Sequence, residues 1–510
     1  MSRVEVVVGL DVGTTSAKAV AVDASGVQHG GGECAYDLHA PKRGWATQDP
    51  GDLVRGALTA VRKSAAVAES GGARVIGLSV SSAMHGVVAL DSEGVPLGEL
   101  LTWADARATE QARELRKRRP DLHERTGTPI HPMAPVAKLL WLAEHEPELF
   151  RRAERWVGQK ELVLHALTGR WVVDQSVASG TGLQALDTPT WDAEALAVAG
   201  VAEEQLAELV ATTDVVGELA PDAARSVGLA TGLPVVAGAG DGPLANLGVG
   251  AVQPGVAACS IGTSGALRLV VERAAVDPAR RMFCYALTPG RWVVGGAINN
   301  GGSALEWAGR ALGAELGEDR AETLLAEAAA VPPGADGLLM LPHLLSERAP
   351  HWNHEAAGAY LGLTHTHARG PLVRAALEGV CRQLAMVLES MRDAGHEVSQ
   401  MRATGGFARS ELWKQMLADT LDLAIDFPAG REGSAFGAAL LGLFAVGHID
   451  TIDQAAELVQ LDERVEPDPA TAGVYERLKP IADGAYEALA PALRGLREEA
   501  GASARRCPAV

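Results

Sequence analysis

Four short stretches carry the residue types that could do chemistry. Near the start, Asp11-Val12-Gly13-Thr14-Thr15-Ser16-Ala17-Lys18 gathers a carboxylate, hydroxyls and a cation. A carboxylate at a strand end can hold a hydrated metal ion, and turn amides with hydroxyls can form an anion-binding concavity. Gly13 lets a ligand approach the backbone closely. With Lys18 added, these groups are what a magnesium–triphosphate complex requires. Ser260-Ile261-Gly262-Thr263-Ser264-Gly265 repeats the pattern of glycine followed by hydroxyl residues. Thr404-Gly405-Gly406-Phe407-Ala408-Arg409-Ser410 is a third, Gly-rich turn, and Ala239-Gly240-Asp241-Gly242-Pro243 presents a lone carboxylate among small residues. Each also has an ordinary reading: a polar hairpin tip for the first, and a helix cap for Asp241.

The elements that must position these stretches follow from the apolar pattern. Val4 to Leu10 and Ala17 to Val22 are Val-rich runs on either side of the first turn, which reads as a β-hairpin. Asp49-Pro50 opens a helix through about Val67, with Asp near the cap and Pro in the first turn. Arg74 to Val80 is a buried strand leading into Ser81-Ser82-Ala83-Met84-His85-Gly86, and Val87 to Asp91 is another strand. Helices are expected from about Ala134, including Lys138, and from Lys160 to Leu167. Pro234 to Gly238 is a buried strand that runs into Asp241, followed by a small-residue helix from Leu244 to Val249. Beyond Gln253-Pro254-Gly255 a second pattern begins with the Gly262-Thr263 hairpin. A long helix spans about Pro371 to Arg392, and the chain is read as charged and helical after about Leu461. This alternation predicts an α/β protein of two domains, 1–248 and 249–510, each opened by a phosphate-type hairpin.

The totals exclude several classes. With 45 basic and 64 acidic residues the formal net charge is −19, which argues against a nucleic-acid partner. A phosphorylated ligand would need a local cation cluster or a divalent ion to reverse that field. Cys34, Cys259, Cys284, Cys381 and Cys507 are scattered without a CxxC pair, as expected of reduced thiols in a cytoplasmic protein. The N-terminus runs directly into a strand, and the longest apolar run, Ala435 to Gly447, is too short to span a bilayer. No Walker A pattern occurs, and no GxGxxG follows a strand.

Taken in order, the motifs at Asp11, Asp241, Gly262-Thr263 and Gly405-Gly406 resemble those of the FGGY family of carbohydrate kinases, within the actin/hexokinase-type ATPase superfamily. The resemblance runs from the first hairpin to about residue 450. It implies two actin-like (ribonuclease H-like) α/β domains with an interdomain cleft, ATP as co-substrate and Mg2+ as cofactor. Asp241 matches the family's catalytic base, which accepts the hydroxyl proton and aims the oxygen in line. Thr14, Thr15 and Lys18 would face the ATP phosphates, and Asp11 would hold magnesium, with Asp241 as a second carboxylate. Gly262 and Thr263 would serve the transferring phosphate. Gly302, Glu306, Gly405, Gly406 and Ser410 would line the nucleotide pocket, although Ser410 stands where glycerol kinases commonly carry Asn. Met84 and His85 match the substrate-side loop, where glycerol kinases carry Arg-Glu, and Trp103 and Asp105 fall in a Trp-x-Asp-x-Arg pattern completed by Arg107. Trp103 could stack on an aliphatic sugar face.

The sugar is read from resemblance alone. Pro41 to Pro50, Arg125 to Met133, Phe283 to Leu287 and Ile298 to Gly302 are similar to the bacterial gluconokinases of the family. That implies phosphorylation of D-gluconate to 6-phospho-D-gluconate. The carboxylate of such a sugar acid needs donors, for which His131, Lys138, Lys160 and His85 are candidates; Lys138 and Lys160 also read as solvated helix charges. The rivals are a kinase for a neutral ketose such as xylulose, a non-enzymatic ATP-binding module and a purely hydrolytic ATPase. A homodimer is kept as a candidate assembly, and no membrane partner is expected.

Overall fold

Nearly every residue of the first Val-rich run is buried, and the run becomes a central strand rather than an edge. The computed structural model describes residues 3–430 and 433–506. Strand β1 (Glu5–Val12) pairs antiparallel with β2 (Ser16–Asp23), which pairs antiparallel with β3 (Gln28–Ala35). On its other side β1 runs parallel to β4 (Arg74–Ser82). With β5 (Val215–Glu218) and β6 (Pro234–Val236) the six strands take the order β5-β6-β4-β1-β2-β3. Continuous apolar strands of this kind need both faces covered. Helix α1 (Pro50–Ser70) supplies Leu53, Ala57, Ala60, Val61 and Ala65 to the core on one face. Its start is set by Asp49, whose side chain accepts from Asp52 N–H, and by Pro50 at the first helical position. On β1 itself, Gly9 is what permits helix Gly433–Ala445 to dock: a β-carbon there would lie 2.1 Å from Ala435 O and 2.4 Å from Ala439 N.

These elements belong to the first of two compact units, made from Met1–Val256, Arg268–Val294 and Ala429–Gln460. The second is made from Ala257–Leu267, Gly295–Pro428 and Leu461–Val510. Each unit gathers three segments, and helix Gly433–Ala445 joins the first by packing on β1. Strands β7 (Val256–Ile261) and β8 (Gly265–Val271) flank the second turn. They join β9 (Arg291–Ile298), β10 (Gln400–Thr404), β11 (Ile425–Pro428) and β12 (Leu461–Val465) in the order β9-β8-β7-β10-β11-β12. Helix α2 (Arg369–Asp393) is the long helix expected from sequence.

Two readings need correction. Leu461 opens a strand that pairs antiparallel with β11, and the final helix starts only at Pro469. The helix expected from Leu244 begins at Asp241, so the carboxylate sits in the first helical turn. Cys34 is half-buried, Cys259, Cys284 and Cys381 are buried, and all four are free thiols; Cys507 lies outside the described residues. Among the described residues no helix is long and apolar enough to cross a membrane.

The Gly9 contact is testable. Gly9→Ala forces a methyl into the backbone of helix Gly433–Ala445 and should cost roughly 3 kcal/mol or more in urea unfolding. Gly98→Ala, where a β-carbon meets nothing within 4 Å, should leave stability unchanged.

Candidate active site

The first turn is a rigid object held from outside by side chains. Gly13 N–H donates to Ser16 O at 3.0 Å, and the register places Asp11 opposite Lys18. Tyr36 Oη donates to Gly13 O at 2.6 Å, and Gln48 Nε2 donates to Thr14 O at 2.7 Å. Trp103 Nε1 donates to Thr14 Oγ1 at 2.8 Å. A hydroxyl that accepts from an indole has its own proton to give an acceptor, as a phosphate oxygen would be. Because β1 and β4 run parallel with Asp11 beside Ser81, Ser81 Oγ donates to Asp11 Oδ1 at 2.7 Å. Burial, followed by the Asp11 charge, pushes the Tyr36 hydroxyl well above its ordinary value, so Tyr36 stays a donor.

Asp241 stands on a segment laid against β4 and clamped from behind. Gly238 has φ 73°, and a β-carbon there would meet Val80 O at 1.9 Å, so only glycine fits. Gly240 N–H donates to Ser176 Oγ at 3.2 Å, and Lys160 Nζ donates to Ala239 O at 2.9 Å. Lys160 is paired with Asp174 at 2.7 Å, both side chains fully buried. Asp174 in turn caps helix Gln175–Ser179 by accepting from Ser176 and Val177 N–H. Burial draws the Lys160 ammonium below the ordinary lysine value, and the Asp174 carboxylate opposes that. Asp241 Oδ1 accepts from Gly242 N–H at 2.7 Å, and Ser434 Oγ donates to Asp241 O at 3.1 Å. Gly242 also makes room for a cation, since a β-carbon there would lie 3.1 Å from Arg268 Nε.

The residues expected to read a sugar lie around His85. This residue has φ 68°, and its Nδ1 donates to Gly180 O at 2.7 Å. Met84 and His85 press on Gly180, and Met84 on Gly240, at distances that leave no room for a β-carbon. The ring of Tyr285 meets His85 edge-on at 5.8 Å and stacks on Phe283 at 4.3 Å. The strand bearing Tyr285 is tied in by Cys284 N–H to Gly127 O at 2.9 Å, Ala286 N–H to Ser179 Oγ at 3.1 Å and His123 Nε2 to Met282 O at 2.8 Å. The stretches Arg125 to Met133 and Phe283 to Leu287, separate in sequence, are therefore bonded to each other. His131 is buried, and its Nδ1 accepts from Met133 N–H at 3.3 Å. Asp105 and Arg107 form a buried bidentate pair with two 2.8 Å bonds, and the guanidinium lies 3.7 Å from the Trp45 ring. That pair fixes the loop that carries Trp103 toward the first turn.

Lys138 and Lys160 are not solvated helix charges, and their ammonium groups do not stand open as sugar ligands. Both are completely buried. Lys138 Nζ donates to His85 O at 2.7 Å and Thr102 O at 2.6 Å, and burial brings it down to about 7.

In the second unit the Gly262-Thr263 turn is held by backbone. Gly301 N–H donates to Thr263 O at 3.0 Å, Gly302 N–H to Gly262 O at 2.6 Å and Ser303 N–H to Thr263 O at 3.2 Å. These amides open helix Gly302–Leu312. Gly405 crosses behind the same turn with φ 121°, where a β-carbon would lie 2.2 Å from Ile261 O. Gly262, Thr263, Gly405 and Gly406 are exposed. Ser410 caps helix Glu411–Leu421, its Oγ accepting from Trp413 N–H at 3.3 Å. Glu306 is exposed and pairs with Arg310 on its own helix at 2.6 Å. Asn299 Nδ2 donates to Leu345 O, and Asn300 Nδ2 to Ser346 O, each at 2.9 Å; they bind a neighbouring loop.

Against this geometry, the N-terminal domain model of the FGGY family of carbohydrate kinases matches residues 6–248, and the C-terminal domain model matches residues 257–446. The chain belongs to that family. It is 38% identical to a gluconokinase of Bacillus licheniformis over 93% of this chain and 94% of that protein. It is 30% identical to a xylulose kinase of Escherichia coli over 95% of this chain and 99% of that protein. The crystal structure of a gluconate kinase from Lactobacillus acidophilus superposes with a TM-score of 0.90 at 31% identity, covering 96% of this chain and 98% of that one. This FGGY chain thus has the two-domain, actin-like fold with mixed sheets that its motifs imply, and it is a carbohydrate kinase. Sequence reasoning passed over Gln48, Ser81, Asp174, Ser176, Arg268 and, as a single residue, Tyr285. Tyr285 and Gln48 carried a signal, each as part of a stretch similar to gluconokinases, and Ser81 opened the stretch that leads to His85.

His123 gives this site a pH signature. Burial lowers its pKa to about 4, whereas the unfolded chain takes up that proton near 6.5. The unfolded state therefore binds more protons between those values. The contribution is complete above about pH 6.5 and is lost as pH falls toward 4, worth roughly 3 kcal/mol. Urea unfolding of His123→Gln across that window should show a correspondingly flatter loss of stability on acidification.

Proposed function

We propose that this FGGY kinase transfers the γ-phosphoryl group of ATP to the terminal hydroxyl of D-gluconate, giving ADP and 6-phospho-D-gluconate. The observation that carries the choice of sugar is the higher identity to a gluconokinase, 38% against 30% to a xylulose kinase, over nearly the same extent. The bonding of Arg125 to Met133 with Phe283 to Leu287 beside His85 supports it, because both stretches resemble gluconokinases.

In this reading Asp241 accepts the proton of the attacking hydroxyl and orients its oxygen, and Thr14, Thr15, Lys18, Gly262 and Thr263 take the phosphates. Gly405 and Gly406 lie against adenosine, with Gly302 and Glu306 toward the nucleotide. Ser410 stands at the edge of that pocket, its hydroxyl accepting from Trp413 N–H and keeping its own proton to donate. Met84, His85, Trp103 and His131 serve the sugar. The bond from Nδ1 to Gly180 O fixes the orientation of the His85 ring for the sugar.

Magnesium fits Asp11. Ser81 Oγ orients one of its carboxylate oxygens, and the donor is hard oxygen. Among the described residues no cluster of three or more His, Cys, Asp or Glu side chains could hold a metal. The ion would then complete its shell with water and phosphate oxygens, as magnesium does at phosphate sites. When bound it would neutralise charge on the phosphates. A cytoplasmic setting suits a consumer of ATP.

The second reading is a kinase for a neutral ketose, favoured by the 30% identity to a xylulose kinase across almost the whole chain. A coupled ADP-release assay over gluconate, xylulose, ribulose and glycerol should give the highest kcat/KM with gluconate. Best turnover with a neutral ketose would overturn the sugar assignment. Asp241→Asn should lower sugar phosphorylation by about 10²–10⁴-fold with ATP affinity retained, and activity above a few per cent would remove Asp241 as the base.

A further inference from the structure

Lys138 is an expensive residue for its position. It lies in helix Pro135–His145 with no exposure, yet its side chain ends in an amine that needs hydrogen-bond partners. A buried charge is costly without a partner, and an apolar side chain would fill the same space at less cost. The carboxylate that acts on it is Asp105, already held by both arms of Arg107. This group therefore contains two cations and one carboxylate. The hydrogen bonds of Lys138 go to two backbone carbonyls, His85 O at 2.7 Å and Thr102 O at 2.6 Å.

Those carbonyls belong to two different loops. His85 sits at φ 68°, a conformation that a non-glycine residue keeps only when its surroundings hold it. Thr102 precedes Trp103, whose indole N–H holds Thr14 Oγ1 in the first turn. One amine nitrogen thus ties the His85 loop to the Trp103 loop, and through Trp103 to the Thr14 hydroxyl.

We propose that Lys138 is a positioning residue of the sugar site: it does not bind the sugar but fixes His85 and Trp103 relative to each other and to the Thr14 turn. This rests on the reading of His85 and Trp103 as sugar-side residues. The function itself is tested by wild-type turnover across the sugar panel. The Lys138 proposal is tested by ratios of variant to wild type, on whichever sugar the wild type turns over best.

The experiment uses Lys138→Met and Lys138→Gln in the full chain, with KM and kcat measured separately for sugar and ATP. Lys138→Met should raise the sugar KM at least tenfold and leave the ATP KM within twofold. Lys138→Gln, which keeps two N–H donors without the charge, should recover part of that loss. The double variant Lys138→Met with Trp103→Phe should lose less sugar kcat/KM than the product of the single losses, because both act on one loop pair. If Lys138→Met does not fold, Lys138→Gln carries the same comparison. An unchanged sugar KM, or equal rises for sugar and ATP, overturns the proposal. So does failure of both variants to fold, which would make Lys138 a residue of the core only.

Discussion

The buried ion pair between Lys160 and Asp174 is the constraint on which the first unit's chemistry depends. At 2.7 Å and with neither side chain exposed, each charge is tolerable only because of the other. Neither is used up by its partner. Lys160 also reaches Ala239 O, two residues before Asp241, and Asp174 caps Gln175–Ser179. That short helix is then a junction. Ser176 Oγ takes Gly240 N–H, Ser179 Oγ takes Ala286 N–H, Ser179 O takes the Thr128 hydroxyl and Gly180 O takes His85 Nδ1. The carboxylate, the Tyr285 strand, the Thr128 loop and His85 are all referred to one helical turn. Apolar residues could fill the space of the pair, but they would hold neither the Ala239 carbonyl nor the helix cap.

This explains which parts of the molecule were legible in the sequence. The hairpins were, because their signals are local: Val-rich runs, a Gly-Thr-Thr or Gly-Thr-Ser reversal and a following strand. The place of Asp241 at the end of a buried strand was legible in the small residues around it, while its role as base came only from the family resemblance. Lys160 was misread as a solvated helix charge. Its partners lie at Asp174 and at Ala239, 79 residues away, and nothing near it in the chain announces burial. Lys138 was misread in the same way. Some residues have two uses that spacing does not separate. Trp103 also holds Thr14 through its indole N–H, and Ser410 also caps a helix, its hydroxyl accepting from Trp413 N–H while keeping its own proton to donate.

The two phosphate-type turns reach rigidity by different means. Tyr36, Gln48 and Trp103 hold the first through side chains drawn from distant parts of one unit. Backbone amides of Gly301, Gly302 and Ser303 hold the second, with glycine required where Gly301 and Gly405 pass behind it. A turn braced by side chains can be retuned by single substitutions at its braces. A turn braced by backbone against backbone cannot, because any β-carbon at Gly301 or Gly405 meets a carbonyl.

That difference bears on where a choice of sugar can be written. The Gly262-Thr263 turn is fixed by main-chain geometry, and Gly405 and Gly406 have no side chains, so this part has no means of recording which alcohol is phosphorylated. The first unit has that means. Met84, His85, Trp103 and His131 are side chains on loops, and Tyr285 on a strand, whose backbones are held by Lys138, by the Asp105–Arg107 pair and by the junction at Gln175–Ser179. When the backbone of a loop is held by groups that do not contact the ligand, its side chains can change without the loop moving. Main-chain bracing at Gly301 and Gly405 and side-chain bracing at Lys138 and Lys160 are thus two ways of holding a loop, and only the second can be altered one side chain at a time.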